Sequence, residues 1–377
     1  MPYLDLSTKQ QFFTCRTIDT INDFEQIYNQ LTNSSRRLAF RGVKEASFDI
    51  YTSAQVNAIL KHKALSDFVL KTSILAAIKE VRGSRRIMKL LNKRSKDLTD
   101  FQILALLQHY TFGTTLIDFT FQLPPSLFFA LDSLNYSGNE THTDISEYFS
   151  VYFFDLDDPE HCSVQDVHAQ GMLNLEAFDQ EAKQTYGTLY DGLSHQTINS
   201  FTLLPYEEIA QVATGGLTIL GREAGIYDLF GTSTRLRVYY DVTNERLDIQ
   251  SGLFKLNPSA SLSFEQAAKQ WYSGYPEHIY CLNVHKSLAT YINQHYIDPL
   301  KISAKSIYPK TSLSKKIIRE LLKLPMPSVL RPRVCPQNLS VSTWNKYNRL
   351  YNKALKKRKK DNYTTLILFK SLLSRLN

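Results

Sequence analysis

The stretch EYFSVYFFD, residues 147–155, is the strongest β-strand signal in the chain. Aromatic side chains and Val151 fill most of it, which is typical of a buried strand. Working outward from it, the apolar pattern and the glycine and proline positions predict further short strands. These lie at residues 37–42, 116–120, 217–220, 236–242, 247–250 and 279–284.

Helical periodicity fills much of the sequence between these strands. Helices are predicted at residues 21–31, 54–91 with a break near Gly83, 99–110, 126–134, 170–195, 264–272, 285–296 and 312–324. Thr20 is placed to cap the first, and Pro124 and Pro125 open the helix over 126–134. Because helices and strands do not alternate as regular βαβ units, the sequence predicts an α+β fold, with a mixed sheet of short strands surrounded by helices.

The composition excludes several classes of protein. The chain has 377 residues, of which 43% are hydrophobic and 21% charged, so it is neither disordered, collagen-like nor a disulfide scaffold. It contains no apolar run of about 18 residues, and its first residues lack the pattern of a secretory signal. The four cysteines are scattered without a CxxC pair. We therefore expect a cytoplasmic protein with reduced thiols, no metal and no membrane contact.

The positive charge is concentrated at the carboxyl end of the chain. The net charge is +8, yet residues 331–377 contain twelve lysines and arginines against the single acid Asp361. Four prolines fall between 325 and 336, where a helix cannot continue. The sequence therefore predicts an α+β domain over 1–324, a proline-rich linker over 325–341 and a basic tail of two helices over 342–377.

Basic residues in this tail alternate with aromatic ones, a composition that suits nucleic-acid contact through charge and stacking. The predicted contacts are Lys353, Lys356, Lys357, Arg358, Lys359 and Lys360. An acidic protein partner, or simply a solvated helix face, would explain the same pattern.

Familiar phosphate-loop and catalytic motifs are missing from the sequence. There is no GxxxxGK[ST], GxGxxG, HExxH or GxSxG, and the nine histidines are dispersed. Three other segments carry the polar residues of interest. In the first, Phe40-Arg41-Gly42, an arginine ends an apolar strand, and its planar fork suits a phosphate or a carboxylate. The glycine allows a ligand or another backbone to approach closely.

The second and third segments supply acid, hydroxyl and amide groups. Residues 107–120 surround a glycine turn with polar side chains, and Asp118 lies between apolar neighbours. A buried carboxylate needs a partner, for which Arg41 is a candidate; alternatively, Asp118 and Thr120 only tie the backbone of the turn. In the third segment, Gln250 ends a strand-like alternation before Gly252, where it could orient a hydroxyl group or cap a turn.

In this order and spacing, the three segments resemble the FRG domain family. The resemblance rests on Phe40-Arg41-Gly42, on Gln108-His109-Tyr110 with LIDFT at 116–120, and on QSGLF at 250–254. It extends over roughly residues 20–320. The glycine, proline and arginine of the family's second motif are Thr111, Gly113 and Thr115 in this chain.

The order of these motifs is similar to that of ADP-ribosyltransferases, and the resemblance implies a bacterial or phage toxin or defence effector acting on NAD. It implies Arg41, Asp118 and Gln250 as catalytic residues. It implies Arg41, Gly42, His109, Thr114 and Thr120 as the residues that bind NAD, either for transfer of ADP-ribose or for its cleavage. An inhibitory or activating partner protein is also expected.

Because Gln250 is neutral, a second hypothesis stays open. In that hypothesis the same pocket belongs to a non-catalytic module that binds a nucleotide or a protein.

Overall fold

The computed structural model confirms the α+β fold. It describes residues 3–61, 64–91, 98, 100–110, 112–132, 134, 144–155, 218–219, 227–228, 235–236, 250–271, 279–308, 311–332, 341–342, 345–346, 348–349 and 352. The central feature is a mixed sheet of seven strands with helices packed on both faces.

The strands pair in an order that differs from their order in the chain. They are β1 (Thr14–Ile18), β2 (Leu38–Val43), β3 (Leu116–Thr120), β4 (Tyr148–Asp155), β5 (Thr218–Ile219), β6 (Tyr227–Asp228), β7 (Arg235–Leu236), β8 (Gly252–Leu256) and β9 (Tyr280–His285). The large sheet has the order β1-β9-β4-β2-β3-β8-β5, and β6 pairs with β7 separately. In the large sheet β1 runs parallel to β9, and the other described pairs are antiparallel.

Several of the helices begin at a residue whose side chain caps the first turn. The helices are α1 (Leu6–Gln10), α2 (Ile21–Thr32), α3 (Ser53–Leu60), α4 (Asp67–Gly83), α5 (Arg85–Leu91), α6 (Asp100–His109), α7 (Leu123–Leu131), α8 (Phe264–Trp271), α9 (Ala289–Ile292), α10 (Ala304–Ile307) and α11 (Ser312–Lys323). Thr20, Ser66 and Thr311 each accept a hydrogen bond from a backbone N–H in the first turn. The predicted cap at Thr20 is confirmed.

Some of the predicted helix and strand boundaries need correction. The helix predicted over 54–91 has the break at Ser84 that was expected, but it is also interrupted after Leu60, because Ser66 starts α4 with a new cap. The strand at 37–42 does not end at Gly42 but continues to Val43. The predicted helix over 170–195, and the second predicted helix of the tail, lie outside the described residues.

The register of the sheet divides its side chains between two faces. Arg41 lies opposite Tyr152, which lies opposite Cys281, so these three residues share one face. We call it the α1 face, because Lys9 of α1 contacts it. Phe40 and Thr120 share the other face, the α7 face. Asp118, two residues before Thr120, therefore belongs to the α7 face.

The proline-rich segment begins against the body of the protein. Met326, Val329 and Leu330 are buried in the same apolar cluster as α4, α6 and α11. The described residues of the tail between 341 and 352 are helical and largely exposed. The division of the chain at 325 and 342 stays a prediction. No helix among the described residues is long and apolar enough to cross a membrane.

Candidate functional site

Arg41 stands in β2 at the centre of the sheet. Its Nη1 donates a hydrogen bond to the main-chain oxygen of Asp118 at 2.6 Å, and its Nε lies buried with no acceptor among the described residues. Burial lowers the pKa of Arg41, and the charge of Asp118 and the proximity of Tyr152 and Glu265 oppose that shift. The guanidinium is thus fixed through Nη1, while the N–H of Nε is available to donate a hydrogen bond.

Asp118 is a neighbour of Arg41, as the sequence predicts, but the hydrogen bond goes to its backbone. The side chain instead accepts a hydrogen bond from Gln108 Nε2 at 2.6 Å. Burial raises the pKa of the Asp118 carboxyl, while Arg41 and the bond from Gln108 act in the opposite direction. The carboxylate is therefore held on the α7 face by an amide from α6, next to β3.

Thr114 helps to position this carboxylate through Gln108. Its buried hydroxyl donates to Gln108 Oε1 at 2.6 Å, and Ser53 Oγ donates to the same oxygen at 2.8 Å. Thr114 Oγ1 also accepts from the backbone N–H of Leu116. Because both oxygen contacts orient the Gln108 amide, its NH₂ group is directed at Asp118. The turn before β3 thus positions the acid through one intermediate side chain.

Thr120 and Gln250 meet at the opposite end of β3. The Thr120 hydroxyl donates to the main-chain oxygen of Gln250 at 2.6 Å. The sequence predicted that Gln250 ends a strand, and this prediction is wrong. Gln250 precedes β8, and Ser251 between them has a positive φ of 43°. The amide of Gln250 donates to the main-chain oxygen of Ile307 at 3.2 Å, so the side chain lies toward α10. The remaining residues of that predicted strand, 247–249, lie outside the described residues.

Gly42 and His109 are explained by packing. A Cβ at Gly42 would lie 1.8 Å from the main-chain oxygen of Ser126 in α7, so the glycine lets β2 and this helix touch. His109 is buried at the end of α6, with its ring 5.6 Å from that of Phe254 in an edge-to-face arrangement. Binding of NAD by either residue stays a prediction.

The structure therefore brings the predicted residues together in two groups. Arg41 contacts Asp118, and Thr120 contacts Gln250. No hydrogen bond joins Arg41 to Gln250 within the described part of the chain. The six basic residues predicted to contact nucleic acid, from 353 to 360, lie outside it.

Sequence reasoning missed three side chains that shape the site. Gln108 is adjacent to His109 in the same motif, and its amide reaches from α6 to Asp118 in β3. Tyr152 lies directly opposite Arg41, which the alternation in β4 could have indicated only once the strand pairing was known. Glu265 of α8 is buried near Arg41, and no sequence signal marks it.

The chemistry available at this site is that of anion binding. A buried N–H without an acceptor at Arg41 fits an oxygen of a diphosphate such as that of NAD. The predicted catalytic set fits bond cleavage less well, because Gln250 is neutral and Gln108 holds the Asp118 carboxylate. Among the described residues, no three histidine, cysteine, aspartate or glutamate side chains lie together as metal ligands would.

Comparison with known families supports two of the three motif segments. Residues 36–138 match the family model of the FRG domain, and the chain contains an FRG domain over that range. The match includes Phe40-Arg41-Gly42 and the segment 107–120, whereas the segment at 250–254 falls beyond it. A search of curated proteins and a search of solved structures found no match.

Proposed function

We propose that this FRG-domain protein binds NAD, or a related dinucleotide, beside Arg41. The observation that supports the proposal is the buried Arg41 Nε–H, which has no acceptor in the described structure while the same guanidinium is anchored to Asp118. A half-anchored guanidinium is oriented before the ligand arrives, so less conformational entropy is lost on binding. A diphosphate supplies the missing acceptor and the opposite charge.

The neighbouring motif residues suit the sugar of the same ligand. Gln250 is partly exposed and carries an amide that can exchange its bond to Ile307 for one to a ribose hydroxyl. Thr120 fixes the backbone of Gln250. When NAD is bound, the chemistry it supplies is a labile bond between ribose and nicotinamide. The protein's own residues hold the ligand and position the amide.

Binding is favoured over rapid turnover by the state of the two predicted catalytic side chains. Cleavage of the nicotinamide bond passes through an oxocarbenium-like state, which a nearby negative charge stabilises. Gln250 has no charge, and burial raises the pKa of Asp118 while Gln108 occupies its oxygen. We therefore expect NAD to bind with slow or no release of nicotinamide.

Transfer of ADP-ribose, or cleavage of NAD, is the second candidate. It is favoured by the juxtaposition of the three motif segments on the adjacent strands β2, β3 and β8. A cytoplasmic toxin or defence effector, regulated by a partner protein, would be the corresponding biological role.

One experiment separates these functions. Purified full-length protein is titrated with NAD by calorimetry, and nicotinamide is measured in the same samples. R41Q should weaken NAD binding at least about tenfold, since a charge-assisted hydrogen bond contributes roughly 1.5–3 kcal/mol. R16Q is the matched control, because Arg16 is exposed on β1 of the same sheet. Nicotinamide release that R41Q abolishes would establish the second candidate, and no binding by wild type would contradict both.

The tail supports a separate proposal, contact with nucleic acid. The described tail residues, which include Lys346 and Arg349, are helical and largely exposed. Replacing the six basic residues 353–360 with glutamine should lower affinity for single-stranded RNA or DNA and flatten its salt dependence. A truncation for the same purpose has to keep Leu330, which is buried in the body. Affinity unaffected by either change would contradict nucleic-acid contact by the tail.

A further inference from the structure

Two cysteines that are far apart in the sequence are direct neighbours in the sheet. Cys15 of β1 lies opposite Cys281 of β9, and the two strands are parallel. Paired residues on neighbouring strands are about 4.8 Å apart, which falls within the Cα separation that a disulfide spans. Cys15 is partly exposed on the edge strand, whereas Cys281 is buried. Both are free thiols.

A buried cation lies beside this pair. Lys9 is 0% exposed, and its ammonium group donates three hydrogen bonds, to Ala46 O, Ser150 Oγ and Asn283 Oδ1, at 2.6–2.9 Å. All three acceptors are neutral. Burying a charge without an opposite charge is costly. The same Asn283 oxygen accepts from Cys281 Sγ at 3.4 Å, which places the thiol next to the lysine.

The environment divides the two thiols into a donor and an acceptor. Burial raises the pKa of Cys281, but the hydrogen bond from Cys15 and the charge of Lys9 outweigh it and lower the pKa to about 7. The hydrogen bond with Cys281 and burial raise the pKa of Cys15. Cys281 is therefore the thiol that ionises against Lys9, and Cys15 keeps its proton.

We infer that Cys15 and Cys281 are an oxidant-sensitive pair, which hydrogen peroxide converts into a disulfide between β1 and β9. The Cys281 thiolate attacks one peroxide oxygen, the O–O bond breaks, and one water leaves after protonation, so Cys281 becomes a sulfenic acid. The Cys15 sulfur then displaces the hydroxyl group of the sulfenic acid, and its proton leaves with it as a second water. The thiols lose two electrons, and the peroxide gains them.

The test uses the full chain treated with hydrogen peroxide and digested without reduction. Peptide mass spectrometry should find a Cys15–Cys281 link, with Cys162 and Cys335 as internal controls for unselective oxidation. In C15S, which lacks the second thiol, dimedone should label Cys281 as a trapped sulfenic acid. Unmodified Cys281 in folded protein, or links that mainly join Cys162 or Cys335, would overturn the inference.

Lys9 provides a second test of the same pair. K9M removes the ammonium group, so the pKa of Cys281 should rise toward that of an ordinary thiol, about 8.5. The rate of Cys281 oxidation at about pH 7 should then fall roughly tenfold. If K9M does not fold, the pKa of Cys281 is measured instead from the thiolate absorbance of wild type, with that of C281A subtracted, as a function of pH. A titration midpoint near 7 supports the inference, and one near 8.5 contradicts it.

Discussion

The two faces of the sheet differ in how deeply their charged and polar side chains are buried. On the α1 face, Lys9 and Glu265 are 0% and 1% exposed, and fixed partners surround both. On the α7 face, Asp118 and Gln250 are partly exposed; the Asp118 side chain bonds to Gln108 and the Gln250 side chain to Ile307. Enclosed polar groups with fixed partners cannot exchange them for a ligand, whereas partly exposed polar groups can. Arg41 connects the two environments, since it lies on the α1 face and bonds to the backbone of Asp118.

The largest effect is expected at Glu265. Its carboxylate accepts from Tyr3 OH at 2.6 Å and from the backbone N–H of Ile50 at 3.2 Å. E265A leaves both donors buried without an acceptor, and should lower the free energy of unfolding by about 3 kcal/mol or more. E265Q keeps an acceptor oxygen and is the matched control. Urea unfolding followed by circular dichroism measures both, and equal losses would show that the hydrogen bonds do not matter.

A comparison of E265Q with wild type should also show a pH dependence of stability. Burial raises the pKa of Glu265 in the folded state, so the stability it contributes is complete below the unfolded pKa, about 4.3, and is lost as pH rises through the folded pKa. E265Q does not titrate there. The stability of E265Q relative to wild type should therefore increase from about pH 4 to pH 8. A difference that is independent of pH would contradict a raised pKa.

The contact between Gly42 and α7 predicts the next largest effect. G42A places a methyl group on the backbone of Ser126, and since neither backbone can move without shifting a core element, the loss should be about 2–3 kcal/mol. Gly83 is the control, because a Cβ there meets nothing within 4 Å. G83A, in the last turn of α4, should be neutral or stabilising by up to about 1 kcal/mol. Comparable losses in thermal unfolding would show that space at Gly42 is not the cause.

Thr120 should contribute less, because it holds only a turn. T120V removes the bond to the Gln250 oxygen and the one accepted from the backbone N–H of Gln122. The expected loss of stability is about 1–2 kcal/mol, together with weaker NAD binding through the displaced Gln250. T120S is the matched control and keeps the hydroxyl. T120V with unchanged stability and NAD affinity would place Gln250 outside the site.

Gln250 itself should have the smallest effect on stability. Its bond to Ile307 is partly exposed and 3.2 Å long, so Q250A should lower the free energy of unfolding by less than about 1 kcal/mol. The effect on NAD binding should exceed the effect on stability. The reverse result, a large loss of stability with unchanged binding, would make Gln250 a structural residue only.

Local sequence patterns predicted most of the elements but not the details of the site. The aromatic run at 147–155 gives β4, and helix caps such as Thr20 follow from side-chain chemistry alone. The sequence could not show that Arg41 bonds to the backbone of Asp118 and Gln108 to its side chain. The face of β3 that Arg41 meets depends on the pairing of strands whose residues are 77 positions apart. Glu265 was invisible for the same reason, since its partners at 3 and 50 come from the other end of the chain.

The adjacency of Cys15 and Cys281 belongs to the same class of information. The sequence predicts the strand that contains Cys281 but not the one that contains Cys15. The register that places them opposite each other depends on a parallel pairing of strands from the two ends of the chain. Spacing in the sequence predicted no disulfide framework. An oxidant-dependent link between these residues is a property of the folded sheet.

The most direct test of the account is a crystal structure of the full chain soaked or co-crystallised with NAD. We expect density for the dinucleotide at β2, β3 and β8, with a diphosphate oxygen within hydrogen-bond distance of Arg41 Nε and the bond from Arg41 Nη1 to Asp118 preserved. NAD bound elsewhere on the protein, or Arg41 Nε satisfied by an internal water with no ligand density at a saturating concentration, would contradict the proposed site.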